Sequence, residues 1–414
     1  MVQRNKNFAF LVGLWVSAAA QAAGQAYALP DLERLALESS RSMMAAREQV
    51  EAARYGVRSA SAFPNPEIEY LAGTMRSRAA GGNSGDARSA TLTQAIDLPW
   101  VRGARIGAAE AGVQASEAGL RAFEADLLAS IRLRYFEVLR RDAELRNARE
   151  DLALMESVRS RIALRVEVGE APRFELIKAD AEMMNAQKSV QAAGFRAAQA
   201  RSYLRQSVGA GLQADYSLRG TLREVPELQP IEAVRQALPD GSPALARARA
   251  EVTRAEQQLE LERRKRWPSL AVKGGYDDDP DMRTSRLGVV VTVPLWDRRS
   301  GPVGEASAQL ARSRHELAAQ EFSLDQQLAV AYQQYEIGQA QVTALESGIV
   351  RQAENALSIA QAAYRFGERG FLEVLDAQRV FRAARAELIA ARFELAAAWV
   401  EIERLRATPG GKNP

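Results

Sequence analysis

Two similar turn sequences occur in this 414-residue chain, 198 positions apart. The second copy covers residues 364–377 and reads Tyr-Arg-Phe-Gly-Glu-Arg-Gly-Phe-Leu-Glu-Val-Leu-Asp-Ala. Four pairs of positions are identical in the two copies: Gly169 and Gly367, Glu170 and Glu368, Glu175 and Glu373, Ala179 and Ala377. A glycine between two helical patterns predicts a tight turn, and its recurrence at this distance indicates a duplicated chain with one helix–turn–helix in each half.

Long stretches without proline lead into and out of these turns, from Trp100 to Ala171 and from Val303 to Thr408. Helices in globular proteins average about 11–12 residues, so these stretches are unusually permissive. Hydrophobic residues recur in them at seven-residue intervals, for example at Leu310, Leu317 and Leu324, which is typical of coiled-coil packing. At 1.5 Å per residue the first stretch would form a helix about 100 Å long.

Each half also contains two short segments with alternating apolar residues. Residues 67–72 and 90–98 predict strands, and the Gly-, Ser- and Arg-rich residues 73–88 between them predict an exposed loop. Residues 270–276 and 287–293 predict a second hairpin around an acidic turn. Each half should therefore contain a helix, a hairpin, a long helix, a turn and a returning helix.

The repeats define the expected organisation of the chain. We expect a first structural repeat at 29–208, a Gly- and Pro-rich connector with small elements at 209–242, a second structural repeat at 243–406 and a disordered tail at 407–414.

The N-terminus has the pattern of a secretory signal peptide over residues 1–28. Two basic residues precede an apolar run at 8–20, and small residues permit cleavage after Ala22 or Ala28. The alternative is a single membrane anchor, but the run is short for a membrane span. The sequence therefore predicts export from the cytoplasm.

Composition excludes several classes of function. Without the signal peptide, 53 basic residues face 52 acidic ones, which leaves no positive excess for binding nucleic acid. The absence of cysteine excludes disulfides, thiolate metal sites, a cysteine nucleophile and a lipidated N-terminal cysteine. The one histidine, His315, cannot form a catalytic triad or a metal centre alone. We expect no enzyme, no cofactor and no bound metal.

Four strands are too few to close a membrane barrel, because the smallest such barrels use about eight. An open sheet would leave two unpaired edges, which lipid does not tolerate and which aggregate in water. Three chains would supply twelve strands and close the ring. Trp100, Trp267 and Trp296 lie at strand ends, where membrane-interface aromatics belong. The alternative is that these tryptophans pack in a soluble core.

With these features the chain resembles the TolC-like outer-membrane efflux proteins, or outer membrane factors, over essentially all of its mature sequence. The most specific evidence is the motif at 364–377 with its copy at 168–179. The stretch Leu-Pro-Trp-x-Arg-Gly-x-Arg at 98–105 is similar to the cobalt–zinc–cadmium efflux branch. The resemblance implies a mainly α protein with a membrane β-barrel. Three chains would form an α-helical periplasmic tunnel and a shared 12-stranded barrel in the outer membrane.

The resemblance also implies the partners and the function. A periplasmic adaptor (membrane fusion protein) and an inner-membrane pump of the RND type would complete a tripartite system. The chain would be a passive duct that exports metal cations or other small toxic compounds. The alternatives are a type I secretion or multidrug exit duct and, in another class, a soluble periplasmic coiled-coil adaptor or scaffold that needs no barrel. The sequence lacks a His, Met or Cys ladder, so it does not identify the cargo.

Four residues around the second turn are candidates for a gate. Glu373 and Asp376 are three positions apart on one helical face, and a trimer would carry two stacked rings of three carboxylates, which select cations. The resemblance implies that these acids form the periplasmic constriction. It also implies that Tyr364 and Arg369 hold the closed state through contacts with neighbouring helices. The alternative is an ordinary solvated helix face with a surface arginine and a packed tyrosine.

The tips of the two turns are candidates for contact with the adaptor. Gly169, Glu170, Gly367 and Glu368 occupy them. Glycine permits both a tight turn and the close approach of a partner helix. The turn alone is sufficient to explain the two glycines.

Overall fold

The computed structural model describes residues 26–78, 80–226 and 228–406. The signal peptide expected at 1–28 lies outside the described residues except for 26–28, and the tail expected at 407–414 lies wholly outside them. The first elements in chain order are β1 (Ala26–Tyr27), α1 (Leu29–Ser39), α2 (Arg41–Ser61), β2 (Glu67–Met75), β3 (Gly85–Ile96), α3 (Pro99–Glu167) and α4 (Arg173–Val208). They are followed by β4 (Ser217–Leu218), α5 (Ile231–Gly241), α6 (Pro243–Arg264), β5 (Ser269–Asp278), β6 (Arg283–Thr292), α7 (Ser300–Ala344), a π-helical turn (Leu345–Ile349), α8 (Val350–Arg365) and α9 (Phe371–Arg406).

Both predicted glycine turns are present. Gly169 and Gly367 have φ angles of 81° and 75°, in the left-handed region that favours glycine. The amide of Glu170 donates to the carbonyl of Arg165, and the amide of Glu368 donates to the equivalent carbonyl of Ala363. These bonds satisfy carbonyls at the ends of α3 and α8, so each long helix ends at its glycine.

The sequence predicts one unbroken long helix in the second half, but the structure contains a π-helical turn within it. Ala331, Gly338 and Leu345 are buried at seven-residue intervals, but the next buried position, Ala353, follows after eight. The π-helical turn accommodates this extra residue and keeps the buried stripe on one side. By contrast, α3 runs for 69 residues without interruption.

The helix before the first hairpin is also divided, although the sequence analysis predicted one helix there. Ser40 is buried with extended backbone angles, and it separates α1 from α2. The hydroxyl of Ser39 donates to the carbonyl of Leu35 at 2.7 Å in the last turn of α1.

The four long strands form one antiparallel sheet in the order β2-β3-β5-β6. The expected loop at 73–88 is too long, because Gly73 pairs with Ala87 and Met75 with Gly85. Backbone pairing extends the hairpin through residues whose side chains give no strand signal, since every ladder bond satisfies a polar group. The connection between β2 and β3 is therefore 76–84.

The pairing register gives the sheet one apolar and one polar face. Cross-strand partners share a face, and alternate residues change face. The apolar face carries Ile68, Tyr70, Leu92, Ile96, Leu270, Val272, Tyr276, Leu287, Val289 and Val291. The opposite face carries Glu67, Glu69, Thr91, Thr93, Lys273, Asp277 and Arg286. This alternation is typical of a barrel wall with lipid on one side and water on the other.

The chain folds as two compact units. The turn unit comprises the chain up to Met43 together with Asp126–Gln229 and Val330–Arg404; the sheet unit comprises Met44–Ala125, Pro230–Ala329 and the chain from Leu405. The core of the turn unit includes Leu32, Ile131 and Leu204, all fully buried. A parallel pair of β1 with β4, which the sequence did not predict, lies in the same unit.

None of the helices in the described part of the chain combines the length and the apolar character that a membrane-spanning helix needs.

Candidate gate at the second turn

The start of α9 is fixed by three buried side chains. Phe371, Val374 and Leu375 are 1%, 2% and 3% exposed, and they pack in a cluster with Ile162 and Leu357. This spacing of three and four residues buries one face of the helix. The opposite face therefore points away from the cluster.

The two candidate acids lie on this opposite face. Glu373 and Asp376 are both exposed. Arg369 pairs with Glu373 one helical turn away, with 2.5 Å between Nη1 and Oε2. Within the described residues, Asp376 forms no ion pair. In the single chain, therefore, Arg369 of the turn contacts an acid at the start of α9, and Asp376 is the acid left unneutralised.

Tyr364 connects the second turn to the first repeat. Its hydroxyl donates to Oε2 of Glu175 at 3.2 Å, and the guanidinium of Arg165 lies 4.9 Å from the centre of its ring. Burial raises the pKa of Tyr364, and the Glu175 carboxylate raises it further, so the hydroxyl remains a donor at neutral pH. The ring also packs against Phe371, with centroids 6.0 Å apart.

Sequence reasoning did not identify Glu175 and Arg165 as members of this site. Glu175 is the counterpart of Glu373 in the first copy of the turn, so the repeat contained a signal for it. Arg165 has no such signal, because Ala363 occupies its position in the second copy. Its role follows from the packing of α3 against α8 alone.

A second layer of charge lies further along α9. Arg379 forms an ion pair with Glu182 of α4, and Arg385 forms one with Glu150 of α3. Burial raises the pKa of Asp151, although Arg382 and Arg385 act in the opposite direction. Ion pairs therefore join α9 to both helices of the first repeat in this layer.

The tip residues are open to solvent in the single chain. Gly169, Glu170, Gly367 and Glu368 are all exposed. A Cβ atom added at either glycine would meet nothing within 4 Å. Within the chain, therefore, glycine is required at both positions by the positive φ angle. A side chain would have enough space at either position.

The three candidate interface tryptophans belong to the sheet unit. Trp100, Trp267 and Trp296 are 44%, 60% and 95% exposed, so they do not pack in a core of this chain. Trp100 and Trp267 contact each other edge to face, with ring centroids 6.2 Å apart.

The described residues contain no group of three or more acidic or histidine side chains arranged to hold a metal ion.

Comparison with known proteins identifies the family. The family described as outer membrane efflux protein matches residues 32–210 and 234–408, which cover both repeats. Members of this family form homotrimers that work with an adaptor and an inner-membrane pump.

Two relatives and one solved structure illustrate the similarity. The cobalt-zinc-cadmium resistance protein CzcC of Cupriavidus metallidurans is 26% identical over 373 residues, which are 90% of this chain and 88% of that protein. The nickel-cobalt-cadmium resistance protein NccC of Alcaligenes xylosoxydans is 25% identical over 278 residues, 66% of this chain and 62% of that protein. The crystal structure of CusC superposes with a TM-score of 0.79 at 18% identity and covers 92% of each chain, which shows a shared fold.

The match extends over both repeats, and the two-faced sheet and the paired glycine turns agree with it. The chain therefore belongs to the outer membrane efflux protein family and is a subunit of an efflux channel of the outer membrane, with an α-helical periplasmic tunnel and a shared β-barrel.

Proposed function

We propose that this channel exports divalent metal cations and that the acids of the second turn form its cation-selective gate. The observation that carries the gate is the exposed pair Glu373 and Asp376, of which only Glu373 has a basic partner in the described residues. Rings of carboxylates attract cations and exclude anions. The names of the two relatives, which refer to cobalt, zinc, cadmium and nickel, support this class of cargo.

The residues around the acids have separate roles in this proposal. Asp376 contributes an unpaired negative charge from each of three subunits. Arg369 offsets the charge of Glu373 and so reduces the repulsion between like charges in a closed ring. Tyr364 keeps the end of α8 against α4 through Glu175, which opposes outward movement of the second turn.

The remaining site residues and partners complete the proposal. Gly169, Glu170, Gly367 and Glu368 offer two exposed tips to a periplasmic adaptor. An RND-type pump in the inner membrane supplies the energy and selects the cargo, so the duct itself is passive and catalyses no reaction.

Planar-bilayer recording tests the gate. We expect cobalt, zinc or cadmium ions to block the wild-type channel. The double variant Glu373→Gln/Asp376→Asn should weaken the block by at least about tenfold, equivalent to about 1.4 kcal/mol. The matched control is Glu387→Gln/Glu394→Gln, which removes two exposed acids from the same helix that form no ion pair in the described residues. Equal block in the wild type and the gate variant would disprove the assignment.

Growth measurements test the cargo separately. A host that lacks this duct but retains the pump and adaptor encoded with it should regain tolerance to cobalt, zinc or cadmium when the wild-type chain is expressed. Restored tolerance to organic toxicants alone, with no effect on metal tolerance, would assign the channel to multidrug efflux instead.

A further inference from the structure

The exposed tryptophans of the sheet unit lie beside arginines that have no acidic partner. Five residues define this tryptophan–arginine rim: Trp100, Trp267, Arg263, Arg266 and Arg298. All five are exposed. They lie at the end of the strands that continues into α3, after β3, before β5 and after β6.

The rim is held together by contacts in the structure. Trp100 and Trp267 form an edge-to-face pair. The side chain Nε of Arg266 donates to the carbonyl of Arg298 at 3.2 Å, and its amide donates to the carbonyl of Arg263 at 3.3 Å. These bonds hold the backbone of the three arginines together, and Arg266 directly precedes Trp267 in the chain.

The tryptophan pair lies away from the free edges of the sheet. Ile96 of β3 pairs with Leu270 of β5. Trp100 follows Ile96 by a few positions, and Trp267 precedes Leu270 by a few positions. Because β3 and β5 are the two inner strands, a neighbouring subunit that joins at β2 or β6 leaves this end of the sheet uncovered. The exposure of this pair is therefore not explained by the seam between subunits.

Of the nearby acids, Asp297 accepts a hydrogen bond from the backbone amide of Arg299, and two others are paired with cations outside the rim. Glu260 pairs with Arg264. Glu262 is buried, and it accepts hydrogen bonds from Lys265 and Arg299. Burial alone would raise the pKa of Glu262, but these two cations together hold the pKa below its ordinary value. The carboxylate of Glu262 is therefore neutralised by Lys265 and Arg299 and not by a rim arginine.

The three rim arginines, by contrast, form no ion pair with any of the described residues. A patch with exposed positive charge next to exposed indole rings matches the chemistry of a membrane interface. Tryptophan prefers the headgroup level, where its ring is amphipathic. Arginine recognises phosphate through paired N–H donors, and basic residues near an anionic leaflet are attracted to it.

We propose that the tryptophan–arginine rim binds the phosphate headgroups of anionic phospholipids in the leaflet that faces the helices. The apolar face of the sheet ends at this rim, so the acyl chains of the same lipid would continue along Ile96 and Leu270. This site would fix the height of the barrel in the membrane. It is independent of the cargo and of the gate.

Native mass spectrometry of the purified trimer tests the proposal. The detergent-solubilised protein is titrated with dioleoyl phosphatidylglycerol and, separately, with zwitterionic dioleoyl phosphatidylcholine. We expect the wild type to retain the anionic lipid preferentially. In the variant Arg263→Gln/Arg266→Gln/Arg298→Gln, the ratio of anionic to zwitterionic lipid retained should fall about fivefold for each arginine removed.

Three controls distinguish lipid binding at the rim from misfolding, from a general effect of charge and from binding of free phosphate. Replacing the same arginines with lysine keeps the charge and should retain most of the preference, whereas a misfolded rim would not. The variant Arg161→Gln/Arg173→Gln/Arg351→Gln removes three exposed arginines of the turn unit, which form no ion pair in the described part of the chain, and should leave lipid retention unchanged. Inorganic phosphate at millimolar concentration should not displace the lipid.

Either of two results would overturn the proposal. One is equal retention of the anionic lipid by the wild type and the glutamine variant. The other is displacement of the lipid by inorganic phosphate alone, which would indicate a site for free anions.

Discussion

The two turns of the duplicated chain have the same backbone and different charge. Gly169 and Gly367 have nearly equal φ angles, and each turn closes with the same hydrogen bond across five residues. The side chains that follow differ, because the first turn has Glu175 and Lys178 where the second has Glu373 and Asp376. The duplication therefore supplies one scaffold twice, and only the second copy presents two acids.

The packing next to the two turns also differs. Phe371 anchors the second turn, and the equivalent residue of the first turn is the exposed Arg173. Glu175 accepts its hydrogen bond from Tyr364 of the other repeat, whereas Glu373 is paired with Arg369 of its own turn. The first turn thus acts as a support against which the second turn is held.

The largest effect should come from removing the anchor. Phe371→Ala deletes a fully buried aromatic side chain and should cost about 3–5 kcal/mol in the stability of the start of α9. The matched change Arg173→Ala at the first turn should stay within about 0.5 kcal/mol. Hydrogen exchange of amides 371–378 and 173–180 measures both. Similar protection loss at the two turns would remove the distinction between anchor and support.

Both glycines should respond equally to substitution. Gly169→Ala and Gly367→Ala each place a side chain at a positive φ angle, which costs about 1–2 kcal/mol. Nothing else lies near either position, so strain is the whole effect. Thermal melting of the two variants measures the loss. A much larger loss at one turn would show that the two backbones are not equivalent in solution.

Loss of the bond between the repeats should have a smaller effect. Tyr364→Phe removes the hydroxyl that donates to Glu175, which is expected to cost about 0.5–1.5 kcal/mol. Because the bond restrains the second turn, the variant should also open more often in planar-bilayer recordings. The partner change Glu175→Ala removes the acceptor and should produce a similar effect, and combining the two should add little. Additive effects of the two changes would contradict a direct interaction.

The smallest effect concerns Asp151, whose position in the second repeat is taken by Ile349. The groups that face Asp151 are Glu150, Arg382 and Arg385, and Glu182 and Arg379 line the same pocket. Since the pKa of Asp151 is raised above 3.8 in the fold, stability falls as pH rises through the raised value. Asp151→Asn should therefore raise the melting temperature at pH 7.5 and give no gain below pH 3.8. A gain that does not depend on pH would point to a cause other than charge.

The sequence predicted the helices best where proline and glycine mark their ends. Helix α3 begins at Pro99, directly before the proline-free stretch, and it ends two residues before Gly169. Helix α9 begins four residues after Gly367. The predicted hairpin loop at 73–88 was too long, because the outer pairs of β2 and β3, such as Met75 with Gly85, depend on backbone hydrogen bonds and not on a side-chain pattern. The π-helical turn was missed because an eight-residue step between buried positions shows only after burial is known.

The candidate site was predictable only in part. The shared face of Glu373 and Asp376 follows from their spacing alone, and both are exposed. The partner of Tyr364 lies 189 residues away in sequence, so no local pattern could reveal it. Whether Arg369 contacts the acid at the start of α9 or an acid of a neighbouring helix depends on competition between these acids, which the sequence does not rank.

The π-helical turn at Leu345–Ile349 gives the second repeat an interruption in its long helix that α3 lacks. At this turn the amide of Val350 reaches back five residues to Leu345, which widens the helix and weakens its regular ladder. Helix α8 then acts as a lever arm of about 24 Å between this turn and Gly367. A tilt of about 10° at the π turn would move the tip about 4 Å, while the rest of α7 stayed in place.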